Sequence, residues 1–266
     1  DVCSSDLGRM ADRMQIGTGV KFALGENPKS VYNDRDETPI TRMATAAMIR
    51  EGLAKAQRYQ QELDFAESDP DEHMPDYDAK SEALLPLLER DVKAHFHCHR
   101  ADDICTAIRI AKEFNLDYVI IHGTEGHLIA DILAEENAPV IAGPILCDRC
   151  KPEMQHLTIS GPSIMQKAGV KLALCTDHPV IPIQYLPTTA ALAVKGGMQR
   201  EDALYAITAG AAEILGVENR IGSIAAGMDA DLQLYRGDPL DLLCDPWLVM
   251  INGRRVAADL TPQFQV

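Results

Sequence analysis

The chain of 266 residues is 46% hydrophobic, enough to bury a sizeable core as one large α/β domain or a large domain with a small one. Its formal net charge of −15 disfavours a general binder of nucleic acid or anionic membrane, because both need a clustered positive surface. No apolar run approaches the roughly 18 to 20 residues that span a bilayer, and no basic-then-apolar leader opens the chain, so the expected setting is cytoplasmic.

Residues 1–7, DVCSSDL, join no periodic pattern and are set aside as a non-native leader. A short strand is expected from Gly19 to Leu24, followed by the loop GENPKSVYNDRDE. Thr38 then reads as the cap of a long helix with Pro39 at its first position. Ile40, Met43, Ala44, Ala47, Met48 and Leu53 give that helix an apolar stripe as far as about residue 66. Residues 67–78 form an acidic, Pro-containing connection, and SEALLPLLER a short helix.

Strands at 92–97, 117–121, 139–143 and 170–175 then alternate with helices at 101–114, 126–136 and 161–168. Such alternation implies right-handed βαβ crossovers and a parallel sheet. With the strand at Gly19 there are five strand–helix units, whereas a closed (β/α)8 barrel needs eight strands and roughly 250 residues. The expectation is the later part of such a barrel over residues 8–215, ending in helices at 187–196, 200–208 and 210–215. Residues 216–266 change to short strands and Gly/Asp turns, with Asn252-Gly253 as a hairpin signal.

Three apolar runs end in metal-binding residue types: VKAHFHCH at His97, YVIIHGTEGH at His122 and VKLALCTDHP at Asp177. The C-terminal ends of parallel strands are where barrel enzymes carry their active-site groups, so the pattern points to a hydrolytic metal site. Seven scattered cysteines are unlike a disulfide framework, and Cys147-Asp-Arg-Cys150 is read as a loop rather than a zinc or redox motif. His73 and His156 are expected to face solvent.

The ending ITAGAAEILGVENRIGSIAAGMDADLQLY resembles the C-terminal signature of the amidohydrolase superfamily. With HCHRADDI at 97–104, IIHGTEGH at 120–127 and TDHPVIPIQYLP at 176–187, the chain is similar to imidazolonepropionase-related members along nearly its whole length. The resemblance implies a partial metal-dependent (β/α)8 barrel, with residues 216–266 as the C-terminal strands of a small composite β-sandwich. It assigns His97, His122 and Asp177, as metal ligands, to the ends of strands five, six and eight. Lys21 matches the bridging lysine position of strand four, with Glu26 as an alternative carboxylate ligand. The strand-one H-x-H pair has no counterpart, which places those ligands in a segment preceding this one.

The implied reaction is hydrolysis of a C–N bond in a cyclic amide, imide or related small molecule by water activated on a divalent metal, zinc first, with iron, manganese or nickel as alternatives. Asp177 is the expected general acid/base, and His178 stands beside it as a second catalytic group. His99, Arg100 and His127 are expected to bind substrate, the guanidinium by bidentate contact with a carboxylate. His127 reads equally well as the start of a helix. An inactive fragment and a non-catalytic metal- or ligand-binding barrel stay open beside the enzyme. An unpaired edge of the parallel sheet points to self-association as a homo-oligomer.

Overall fold

A computed structural model describes residues 19–69 and 71–258, so the leader expected at 1–7 lies outside the described residues. The described residues gather into two compact units, one of residues 19–129 and 150–156, the other of residues 130–149 and those from 157 on.

The first unit holds β1 (Gly19–Ala23), α1 (Glu26–Asn33), α2 (Arg42–Ser68), α3 (Ala79–Glu82), α4 (Leu85–Leu88), β2 (Lys93–Cys98), α5 (Ala101–Glu113) and β3 (Tyr118–His122). β1, β2 and β3 pair in parallel, with Ala23 opposite His97 and Cys98 opposite His122. Ala94, Phe96 and Cys98 of β2 are wholly buried, and Phe96 stacks on Phe22 of β1 with ring centroids 5.2 Å apart. Ile104, Ala107 and Ile110 of α5 and Leu53 and Ala56 of α2 bury their faces in the same unit. Because side chains alternate along a strand, His95 and His97 of β2, and His99 just beyond it, point to the side opposite Phe96.

Two sequence expectations change here. The segment GENPKSVYNDRDE is not all loop, since Glu26–Asn33 is helical. Gly25 starts it with φ +82, and a Cβ there would run into the carboxylates of Glu153 and Asp103. The long helix begins at Arg42 rather than near Pro39, because Thr41, in an extended conformation, caps it by accepting the Ala44 N–H at 3.1 Å.

The second unit holds α6 (Ala130–Glu135), β4 (Val140–Ala142), α7 (Gly161–Lys167), β5 (Leu172–Leu174), α8 (Leu186–Lys195), α9 (Arg200–Ala206) and α10 (Ala209–Leu215). β4 and β5 pair in parallel around Val140, Ala142, Leu172 and Leu174, all buried. The helix expected at 126–136 is a 3-10 turn, Gly126–Ile129, followed by α6. β6 (Leu232–Tyr235), β7 (Pro246–Ile251) and β8 (Arg254–Ala258) form the antiparallel C-terminal sheet. Asn252 and Gly253, both at positive φ, make the β7–β8 turn as expected. Among the described residues no helix is long and apolar enough to cross a membrane.

Candidate metal centre

The first unit brings three histidines together. His97 closes the alternating face of β2, and His99 follows two residues on. His122 ends β3 opposite Cys98, so an ordinary strand conformation would turn it to Cys98's face, away from His97. Its φ of +75 redirects it. The His97 and His122 rings meet edge-on with centroids 4.5 Å apart, and His99 lies flat against His122 at 4.7 Å. All three residues are buried, and one nitrogen from each lies within 4.8 Å of the others.

Neighbouring side chains hold one nitrogen on two of these rings. Asn27 in α1 donates from Nδ2 to His97 Nε2 at 3.0 Å, its amide fixed by Lys151 Nζ donating to its oxygen. Thr124 Oγ1 lies 2.7 Å from His99 Nδ1. Among the described residues, two buried side-chain polar atoms have no hydrogen-bond partner, His97 Nδ1 and Glu153 Oε1. Burial, followed by the neighbouring His122, His99 and Lys21, pushes the His97 pKa down to about 2. Burial, followed by His122 and Lys151, takes His99 to about 3. Both imidazoles are therefore neutral at physiological pH, which is the form that binds a metal. An orphaned ring nitrogen inside a cluster of neutral imidazoles fits a borderline divalent cation.

The other expected site residues occupy different settings. Lys21 is exposed on β1, and its register opposite His95 puts it on the same face as His97. Glu26 is drawn to Lys29 at 3.2 Å and Arg42 at 3.1 Å; burial would raise its pKa, but these two cations together lower it. Arg100, just before α5, makes a two-pronged pair with Asp102, both contacts 2.9 Å. His127 sits in the 3-10 turn with Nδ1 3.0 Å from the Thr124 carbonyl. In the second unit, exposed Asp177 follows β5 with φ +53, and His178 Nδ1 accepts the Ile183 N–H at 3.3 Å.

Several participants carried no signal read from the sequence. Thr124 and Glu125 stand in the IIHGTEGH run, where no residue pattern marks them, yet Glu125 N donates to the His99 carbonyl at 2.8 Å. Glu125 Oε1 lies 2.7 Å from His156 Nδ1, and Oε2 accepts the Ala101 N–H at 2.9 Å, so His156 is held rather than free, with its side chain half exposed. Asn27 and Glu153 sit in segments that read as plain loop.

Parallel strands ending in a buried imidazole cluster define an α/β protein with a candidate metal centre. Residues 65–257 match the model of the amidohydrolase family, and the chain belongs to that family. The chain is similar to an amidohydrolase from Thermotoga maritima MSB8 of known structure, with 44% identity and a TM-score of 0.87 over 91% of this chain and 63% of that one. It is also similar to "Amidohydrolase tasK" of Hapsidospora irregularis, 29% identical over 94% of this chain and 26% of the relative. A prolidase solved with N-methylphosphonate-L-proline shares the fold at TM-score 0.52 and 20% identity, over 68% of this chain and 50% of that one. The chain thus spans about a quarter of one relative and under two thirds of another.

Proposed function

We propose that this chain carries part of the active centre of a metal-dependent amidohydrolase that cleaves a C–N bond in a small molecule, cyclic amides and imides first. The observation that supports the reading most is the orphaned Nδ1 of His97 within three buried histidines. His97, His99 and His122 would hold the cation, zinc first. Such an ion supplies Lewis acidity, which polarises a carbonyl and acidifies water.

The protein's own groups do the rest. Asn27 and Thr124 fix the planes of the His97 and His99 rings. Asp177, at the end of its strand, takes a proton from the attacking water and returns it to the leaving nitrogen, the role its T-D context carries in the resemblance. His178 stands next to it as a hydrogen-bond donor to the substrate. Lys21 is proposed as a further ligand and Glu26 as its alternative, with Arg100 and His127 as substrate contacts. A cytoplasmic setting, a small-molecule partner and self-association complete the proposal.

Metal analysis of the purified chain, followed by assay against a panel of cyclic amides and imides before and after chelation, tests it. Hydrolysis that disappears with the metal and returns on its restoration is expected. Bound metal without turnover of any amide would instead support a non-catalytic centre, and no metal uptake would sink both.

A further inference from the structure

Glu125 and His156 form a pair that the reaction above leaves unused. Glu125 follows β3, is buried, and brings its Oε1 to 2.7 Å from His156 Nδ1. Two backbone contacts hold it there. Oε2 accepts the N–H of Ala101, the first residue of α5, at 2.9 Å, and the Glu125 N–H donates to the His99 carbonyl at 2.8 Å. The half-exposed His156 ring is thus fixed through Nδ1 by a carboxylate that is itself fixed. Its Nε2 makes no hydrogen bond among the described residues.

The pair stands beside the histidine cluster. Ala101, Thr124 and Glu125 all follow the C-terminal ends of β2 and β3, the same edge that carries His99 and His122. Residues 150–156 run past that edge: Lys151 reaches Asn27, the partner of His97, and Glu153 Oε1 lies 3.9 Å from His99 Nε2. His156 closes the same segment on Glu125, whose neighbour Thr124 contacts His99 Nδ1. The tautomer follows from the partner. A carboxylate only accepts, so the ring hydrogen sits on Nδ1, and in the neutral imidazole Nε2 is left as an acceptor. An exposed ion pair by itself orients little. Here a buried carboxylate sets one nitrogen and leaves the other open, which is how a histidine is presented to a ligand.

We propose that His156, positioned by Glu125, is a substrate contact of this centre, its Nε2 accepting the ring N–H of an unsubstituted cyclic amide or imide. This rests on the hydrolase reading given above and narrows its substrate class. The complement of an acceptor is a donor: a substrate carbonyl has no hydrogen to offer Nε2, whereas the ring N–H does. Glu125 touches no substrate and acts only through the imidazole it orients.

The test compares succinimide with N-methylsuccinimide, which lacks the N–H, by kcat/KM and by the ¹⁵N resonance of His156 Nε2 in the zinc-loaded chain. Succinimide should shift that resonance and N-methylsuccinimide should not. His156→Leu should cut the preference for succinimide about tenfold, the worth of one hydrogen bond, and His156→Gln, whose amide oxygen accepts, should restore part of it. Glu125→Gln tests the positioning: its oxygen takes the Ala101 N–H, its NH₂ faces Nδ1, and the ring hydrogen is driven to Nε2. The preference should fall as in His156→Leu with the imidazole still present. An unaltered preference in His156→Leu overturns the proposal, and so does an equal loss with both imides, which makes the pair a structural support. A shift at Nε2 without turnover of either imide sinks the hydrolase reading and leaves the contact standing. Turnover without the shift does the reverse, and neither turnover nor shift sinks both.

Discussion

His97 Nε2 lies 3.0 Å from the Asn27 Nδ2 of α1, and Lys151 holds the oxygen of the same carboxamide. The amide is thereby oriented so that its N–H donates, which puts the His97 proton on the orphaned Nδ1 in the metal-free protein. Binding a cation at Nδ1 requires that proton to move to Nε2 and the amide to present an acceptor. Asn27→Asp supplies a carboxylate acceptor without that rearrangement and should tighten metal binding by roughly tenfold, as carboxylate partners of ligating histidines do. Unchanged affinity in chelator competition would mean that the cation enters at the other nitrogen.

Removing a donor has a larger consequence. His122→Asn deletes one of three clustered imidazoles, and metal retained after gel filtration should drop below about a tenth of the wild-type content. Asp177→Asn should leave metal content in place while turnover falls by about 10²- to 10⁴-fold, the usual contribution of a positioned acid/base group. Full activity in Asp177→Asn would refute its assigned role.

Stability should depend on pH through the same histidines. Burial lowers the pKa of His97 to about 2 and of His99 to about 3 in the folded protein, whereas the unfolded chain protonates both near 6.5. Above that value neither state binds the extra protons. Below it the unfolded state does, so stability declines as pH falls from about 6.5 toward 3. Thermal melts of the metal-free chain should show this decline, and a His97→Asn/His99→Asn variant should show a shallower one.

Arg42 joins α2 to two acidic side chains, contacting Glu26 at 3.1 Å and Asp103 at 3.0 Å. Asp103 is nearly inaccessible, and burial raises its pKa even against the pull of this guanidinium. Arg42→Met strands that carboxylate and should cost roughly 3 kcal/mol in denaturant unfolding. Adding Asp103→Asn should recover much of the loss; if it recovers none, Asp103 is not the group that Arg42 serves.

The βαβ rhythm and the strand-end histidines were legible because burial on parallel strands leaves short apolar runs, and His97 and His122 end two of them. His99, a substrate contact in the family resemblance, lies on His97's face by the two-residue period and belongs to the same histidine cluster. Asn27 and Glu153 were out of reach. Their contacts with His97 and Glu26 join positions 70 and 127 residues apart in the chain, separations that no local pattern encodes. The start of α2 is ambiguous in the sequence for a local reason, since either Thr38 or Thr41 offers a capping hydroxyl and the structure uses Thr41, which meets the Ala44 N–H.

Residues 150–156 return to the unit formed by residues 19–129, after the chain has passed through residues 130–149 of the other unit. During synthesis, then, His97, His99 and His122 emerge well before Glu153 and Lys151. For that interval the imidazoles stand without the carboxylate beside them or the ammonium that orders Asn27. The order of synthesis therefore brings out the three imidazoles before the ammonium that orders Asn27, so the hydrogen bond on the His97 ring gains its support only when residues 150–156 arrive.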